Sequence, residues 1–397
     1  MKKIVLSALA ALTIGSVAAS ASDTQFYTDA NGQVFTSAAE GRTLLDTPTP
    51  VYSDASKLKF SGLVYIGYTY EDFKDGATSN PATNYNDETS AFEIRRAYLQ
   101  LKAYLLDDPK SYYRVTFDMD QNAEGDVNVR AKYAYLYLNE VLPFTGVELG
   151  LVHRPWHDYE EHNAWFYRNI SKVLIEAKNG GDLSNSADFG VNFKTKTQYF
   201  DSEIGVFNGE GYHAEQATGT GMSLEWRATA HLLGVNGKDK QTSKTYLDAS
   251  FFGQYNRDHK ANAAAPDGFD DLVFGGLHTV YNMPSFLVSA QYILSKDTAE
   301  NTTYVSKQAG SGYSVNGEYR FGADQEYRAI ARYDSWTDKQ AISSNEKADK
   351  AYIVGGVWEQ SENVQWVANT IITNNEEGSD REKYNGVAYM LTAEVRF

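Results

Sequence analysis

Apolar and polar side chains alternate at every second residue over much of this chain, and nothing else in it restricts the fold so severely. In the last segment Val387, Tyr389, Leu391, Ala393, Val395 and Phe397 share one face, and Thr392, Glu394 and Arg396 share the other. Phe286, Val288, Ala290, Tyr292 and Leu294 repeat the pattern against Ser289, Gln291 and Ser295. So do Leu224, Trp226, Ala228, Ala230 and Leu232 against Ser223, Glu225, Arg227, Thr229 and His231. A period of two belongs to a strand, and no run of about 18 apolar residues offers a spanning helix instead. Segments of this kind number about 16, each near the length that crosses a bilayer at a tilt. The first falls near 58–71 and the last near 386–397.

The connections alternate as well. Tight turns at Asp107–Lys110, Tyr281–Pro284, Ala323–Gln325 and Gln360–Glu362 follow even-numbered segments. Long polar loops such as 72–88, 208–220, 258–268 and 297–310 follow odd-numbered ones. Short turns on one rim and long loops on the other belong to a membrane barrel. The stretch Gly234–Lys244 is too long for its rim and puts the register there in question. Lipid-facing residues alternating with residues that face a wet lumen also explain how a chain with 29 Tyr, 31 Gly and only 8 Pro averages a mean hydropathy of −0.48. The expected fold is all-β, a transmembrane antiparallel β-barrel of about 16 strands.

Lys2 and Lys3, the apolar run Ile4–Ile14 and the small residues of Val17–Ala21 compose an export signal, with cleavage expected after Ala21. Residues 22–56 read as a periplasmic extension, alternating around Asn31-Gly32, a pair suited to a type I′ turn, and 57–397 as the barrel domain. Without the signal, 34 basic residues face 52 acidic ones, a net charge of −18 that argues against a nucleic-acid partner. With 0 Cys, neither a disulfide framework nor a thiolate metal site exists.

A barrel of about 16 strands leaves an aqueous channel, whereas one of about 8 is filled by its own side chains. The expected function is passive diffusion of small hydrophilic solutes and ions. What narrows the channel is the connection His153–Ala187, punctuated by Trp156, Trp165, Phe166, Tyr167, Ile170, Val173, Leu174 and Ile175. So apolar a loop packs on something, and the inner wall is at hand for an inward constriction loop; a flap over the outer mouth is the alternative.

Strand parity places Arg96, Lys102, Arg114, Arg130, Lys132, Lys194, Lys196, Arg227, Arg320, Arg328, Arg332 and Arg396 on the inner wall. Asp118, Asp120, Glu203, Glu225, Asp248, Glu318, Asp334 and Glu394 join them there. Bases outnumber acids inside a chain that is acidic overall, and low-dielectric walls focus such a field toward anions. The densest group, Arg96, Lys102, Arg114, Arg130 and Lys132, would face the acidic stretch Asp158–Glu161 and set a transverse field. His153, Arg154, Asp158, Glu160, Glu161, Arg168 and Lys172 complete the candidate lining. Arg95 has the parity of a lipid-facing residue, so a bulge or a position above the membrane is required.

Phe92-Glu93-Ile94-Arg95-Arg96-Ala97-Tyr98-Leu99 resembles the paired-arginine second strand of the phosphate-selective porins O and P of bacterial outer membranes. Ala134–Tyr137 leading to Gly150–Trp156, and then Asp188–Val191, follow in the order that this family shows. The resemblance runs from about Lys57 onward. It implies a trimer of barrels in outer-membrane lipid, an inward loop from His153, and solutes that include anions such as phosphate. Phe397 is similar to the aromatic end through which the barrel assembly machinery recognises porins. The loop departs from the family's basic lining, setting Arg154, Arg168, Lys172 and Lys178 against Asp158, Glu160, Glu161, Glu176 and Asp182, so the anion preference expected is mild.

Sharper chemistry is weaker. His153, His157 and His162, with Glu160 and Glu161 between them, could suggest a metal site, and on a helix His153 and His157 would be neighbours at i and i+4, but Pro155 disfavours a helix there and the spacing fits no standard zinc motif, so no metal or cofactor is expected. A barrel enzyme of lipase or protease type is the rival class, although no Gly-x-Ser-x-Gly elbow occurs. A secreted carbohydrate-binding β protein is the third. Tyr65, Tyr68, Tyr70, Tyr333, Trp358 and Trp366 are expected in aromatic belts at the membrane interfaces.

Overall fold

The computed structural model describes residues 27–29, 33–44, 57–73, 88–104, 106–121, 126–214, 216, 221–234, 241–261, 269–297, 309–338, 347–377 and 382–397. The export signal and the Asn31-Gly32 turn lie outside the described residues. The chain divides into two compact units, Met1–Ser56 and Lys57–Phe397. In the first, three short strands, β1 (Tyr27–Thr28), β2 (Val34–Phe35) and β3 (Thr43–Leu44), form an antiparallel sheet in the order β2-β1-β3. The Arg42 guanidinium lies 3.5 Å from the centre of the Phe35 ring.

The second unit is one closed antiparallel barrel, in which each strand pairs with its neighbours in the chain and the last with the first. Its strands are β4 (Leu58–Phe73), β5 (Glu88–Ala103), β6 (Tyr112–Gln121), β7 (Val127–Leu142), β8 (Thr145–His153) and β9 (Ala187–Lys196). There follow β10 (Phe200–Phe207), β11 (Ser223–His231), β12 (Tyr246–Ala261), β13 (Phe269–Met283) and β14 (Phe286–Asp297). The set ends with β15 (Gly310–Phe321), β16 (Tyr327–Asp338), β17 (Lys347–Glu359), β18 (Val364–Asn375) and β19 (Gly386–Arg396). All sixteen segments read from the alternation are strands, and they close into a single barrel. Among the described residues no helix is long and apolar enough to cross a membrane.

Burial is inverted relative to a water-soluble protein. Leu277, Leu294, Val354 and Leu391 are at least half exposed on the outside, while Asp118, Asp188, Thr229 and Asn282 are fully buried within. Only lipid makes the outer face favourable, and every backbone group in the span must then find its partner in a neighbouring strand. The seam shows this. Phe397 donates its N–H to the Gly62 carbonyl at 3.1 Å and Gly62 returns one at 2.7 Å. A Cβ on Gly62 would lie 2.1 Å from the Phe397 ring, so only glycine lets the ring lie against the sheet.

Two bulges adjust the pattern. Arg96 pairs with Tyr65 but Ile94 with Ile66, which leaves Arg95 as the extra residue of β5. Arg95 reaches Thr69 Oγ1 at 3.1 Å on the lumen side, so both arginines of the pair face inward, as the bulge required for Arg95 allows. Thr116 pairs with Tyr133 and Phe117 with Ala131, leaving Lys132 as the extra residue of β7. Lys132 and Tyr133 therefore both face the lumen, although strict alternation sends Tyr133 outward. Tyr65 corrects the aromatic-belt expectation. It is 4 % exposed and points inward, sharing parity with buried Thr69 and Glu71, whereas Tyr68, Trp358 and Trp366 are outward-facing.

The stretch between β11 and β12 is as long as the sequence indicates, yet the register on both sides is unbroken. Arg320 explains how it is held, donating from Nη1 to the carbonyls of Thr242 and Met283, each at 2.8 Å.

Candidate functional site: a half-filled lumen

Residues 154–186 leave the end of β8 and fold into the barrel. They begin with α1 (Pro155–Asn163), whose first position is a proline that needs no N–H partner there. Trp156, Tyr159, Trp165, Tyr167, Ile170, Val173, Leu174 and Ile175 pack on Phe252, Ile293, Ile330, Trp336, Ile353 and Val367 of the inner wall. Trp156 stacks on Phe252 at 3.7 Å and 5°. That ring lies flat because a Cβ on Gly276 beneath it would be 2.3 Å from Phe252. Polar anchors cross the same interface. Tyr159 donates to Asp248 Oδ2 and Tyr167 to Glu318 Oε2, each at 2.6 Å, and Arg227 Nε donates to the Pro155 carbonyl at 3.1 Å. The loop thus fills one side of the lumen, and a cavity is left on the other, against the wall of β4 to β8 and β19.

On that wall the basic residues fall into two kinds. Arg96 pairs with Asp118 at 3.3 Å and Asp120 at 2.9 Å, and Arg130 also binds Asp120. Lys102, Arg114 and Lys132 have, among the described residues, no carboxylate within salt-bridge distance, and are seated on tyrosine rings instead. Lys102 Nζ is 4.7 Å from the centre of Tyr112, Arg114 Cζ 4.7 Å from Tyr133, and Lys132 Nζ 4.8 Å from Tyr98. Such contacts contribute about 0.5–2 kcal/mol each and hold a cation in place without cancelling its charge. Arg114 is further fixed by Thr116 Oγ1 at 3.0 Å and Tyr135 Oη at 3.3 Å. Its Nη1 also lies 3.1 Å from His153 Nε2, and Glu148 Oε2 lies 3.5 Å from His153 Nδ1.

The loop presents acids that already have partners. Glu161 accepts from Arg168 at 2.5 Å, and Asp158 lies 3.6 Å from His153 Nε2 and 4.0 Å from Lys194 Nζ. Between loop and wall is a cavity of about 400 Å³ whose lining includes Arg114, Lys132, Tyr98, Tyr133, Asp158 and Glu161. Glu394 and Arg396 line it too, and they pair with each other at 2.5 Å.

Other candidates are placed differently. Arg154, expected in the lining, is 2 % exposed and clamps the base of the loop to Asp188 at 3.0 Å and Glu225 at 3.2 Å. Glu160 is likewise buried behind the loop, bonded to Gln291. Burial pushes its carboxyl up to about 7, with Arg332 pulling it down and Asp334 pushing it up. Lys172 pairs with Glu176 at 2.9 Å. The three histidines do not share one centre: His157 faces the Ser184 carbonyl, while His153 Nε2 and His162 Nδ1 lie 3.6 and 3.5 Å from the same oxygen of Asp158. Burial lowers His157 to about 4. Sequence reasoning missed Tyr98, Tyr133 and Glu148; the inward turn of Tyr133 has no signal in the alternation, because the bulge shifts it.

No family model matches the sequence, and no curated protein matches it either. Solved structures do resemble it. OmpF of Salmonella typhi, in complex with daunomycin, superposes with a TM-score of 0.62 at 13% identity, over 87% of this chain and 99% of that one. An anion-selective porin from Comamonas acidovorans gives 0.58 at 15% identity, over 85% and 98%. OmpT, an outer membrane protein of Vibrio cholerae in a trimer form, gives 0.54 at 12% identity, over 86% and 99%. At these identities the likeness is one of architecture: the chain has the fold of outer-membrane porin barrels.

Proposed function

We propose that this protein is an outer-membrane diffusion pore for small hydrophilic solutes with a mild preference for anions. One observation carries the preference: each acid lining the cavity has a basic partner, while Arg114 and Lys132 face the same space with none among the described residues. The uncompensated charge sits beside low-dielectric walls, where its field extends into the passage. Phosphate is one anion that such a site accommodates, in line with the resemblance of the arginine-paired strand to the phosphate-selective porins. Export by residues 1–21, a periplasmic place for 22–56, assembly through Phe397 and a homotrimer in outer-membrane lipid belong to the same reading. Two neighbours support its parts, one being an anion-selective porin and one a trimer form.

The test is conductance in a planar bilayer. The purified protein gives stepwise, ohmic currents, and in a potassium chloride gradient the reversal potential reports chloride preference. Lys132→Glu with Arg114→Glu turns the preference to cations. Insertion without current supports the enzyme class instead, and a reversal potential that the double variant leaves unchanged removes both residues from the limiting section.

A further inference from the structure

The cations that keep their charge in the passage are the ones laid on tyrosine rings, and that coincidence bears on which anions they meet. The β7 bulge presents Lys132 and Tyr133 side by side to the lumen, and Lys132 Nζ lies 4.8 Å from the Tyr98 ring centre and 5.4 Å from that of Tyr133. Arg114 Cζ lies 4.7 Å from the centre of the same Tyr133 ring. Tyr98, Tyr133, Arg114 and Lys132 all line the 400 Å³ cavity, a volume within the range that encloses small organic ligands rather than a bare ion. An inorganic anion needs donors and water alone. A ring-bearing anion gains contact with an aromatic face as well, at the same place where its charge is met.

Resting on the pore reading above, we infer that this part of the passage is a binding station for small organic anions that join a phosphate or carboxylate head to a flat ring. The head meets Lys132 and Arg114, and the ring lies along Tyr98, while Tyr133, whose own ring is already packed on His153 at 4.0 Å, holds Arg114 in place. Opposite them Phe166 of the inward loop adds an apolar edge to the same cavity.

Phenyl phosphate and methyl phosphate carry the same monoester head, dianionic at pH 7.5, so comparing them isolates the ring. Each is titrated into single channels conducting potassium chloride at pH 7.5 and fixed ionic strength. Phenyl phosphate is expected to reach half-block at a concentration about fivefold below that of methyl phosphate. Tyr98→Leu removes the difference, Tyr98→Phe keeps it, and Lys132→Gln weakens block by both ions. Equal block by the two phosphates overturns the inference, as does a preference that survives Tyr98→Leu in channels of normal open conductance. If Tyr98→Leu does not insert, the wild-type comparison decides alone. A chloride-preferring channel that treats both phosphates alike leaves the pore reading intact and removes only the station. A silent or cation-preferring channel removes the pore reading itself.

Discussion

At the scale of single residues, charge in this lumen is governed by what each ion touches. Arg154 and Lys132 are both cations on or near the inner wall, yet Arg154 is neutralised by Asp188 and Glu225 while Lys132 rests on Tyr98. Removing one partner of a buried ion pair strands the other charge, at a cost of about 3–5 kcal/mol, while replacing both with apolar groups is close to neutral. Arg154→Met, which strands both Asp188 and Glu225, therefore lowers the temperature at which the detergent-solubilised barrel unfolds, and adding Asp188→Asn with Glu225→Gln restores most of it; an unchanged unfolding temperature in Arg154→Met refutes the clamp. The sequence could not distinguish the two fates. Alternation assigns a face to a residue while it is in a strand, and Arg154 stands one residue past the end of β8, where parity has no meaning. Asp118 was assignable because it sits inside regular pairing, opposite Tyr98.

At the scale of elements, the inward loop is the part most and least legible in advance. Its aromatic and aliphatic content indicates that it packs on something, and it does. The wall that receives it carried a signal of its own: Phe252, Ile293, Ile330, Trp336, Ile353 and Val367 are apolar at lumen positions where polar residues belong. Trp156 is the tightest of these contacts, and truncating so buried a tryptophan costs about 3–5 kcal/mol, which here falls on loop docking. Trp156→Ala is expected to give noisy, larger currents from a barrel whose strand signal in circular dichroism is unchanged. Glu160 makes the docking depend on pH. Its carboxyl titrates near 7 when docked, above the usual range near 4.3, so the docked loop binds the proton more tightly than the free one. Glu160's contribution to docking is accordingly full below the ordinary carboxyl range and is lost as pH rises through about 7. His157, lowered by burial to about 4, contributes with the opposite sign and only below the ordinary imidazole range near 6.5. Current fluctuations should therefore increase between about pH 6.5 and pH 8, and Glu160→Gln should flatten that dependence; fluctuations that keep their pH dependence in the variant locate the proton elsewhere.

At the scale of the whole molecule, the sixteen strands, their antiparallel closure and the alternation of short turns with long loops all follow from a period of two, because lipid outside and water inside enforce it along every strand. The size of the aperture does not follow from strand number, since the loop occupies one side of the lumen. Excising residues 164–183 is expected to raise single-channel conductance at least about twofold, toward that of an unobstructed barrel of this strand number. The bulge at Lys132 is what the period conceals, whereas the one at Arg95 betrays itself as a charge at lipid-facing parity, and together they show how such a wall can change its lining. Each adds a side chain to the lumen while the hydrogen-bond ladder resumes on both sides. A single inserted codon can therefore give the lumen a new charge while the wall stays closed, so in a pore of the kind proposed above what passes through can be revised separately from what keeps the barrier intact.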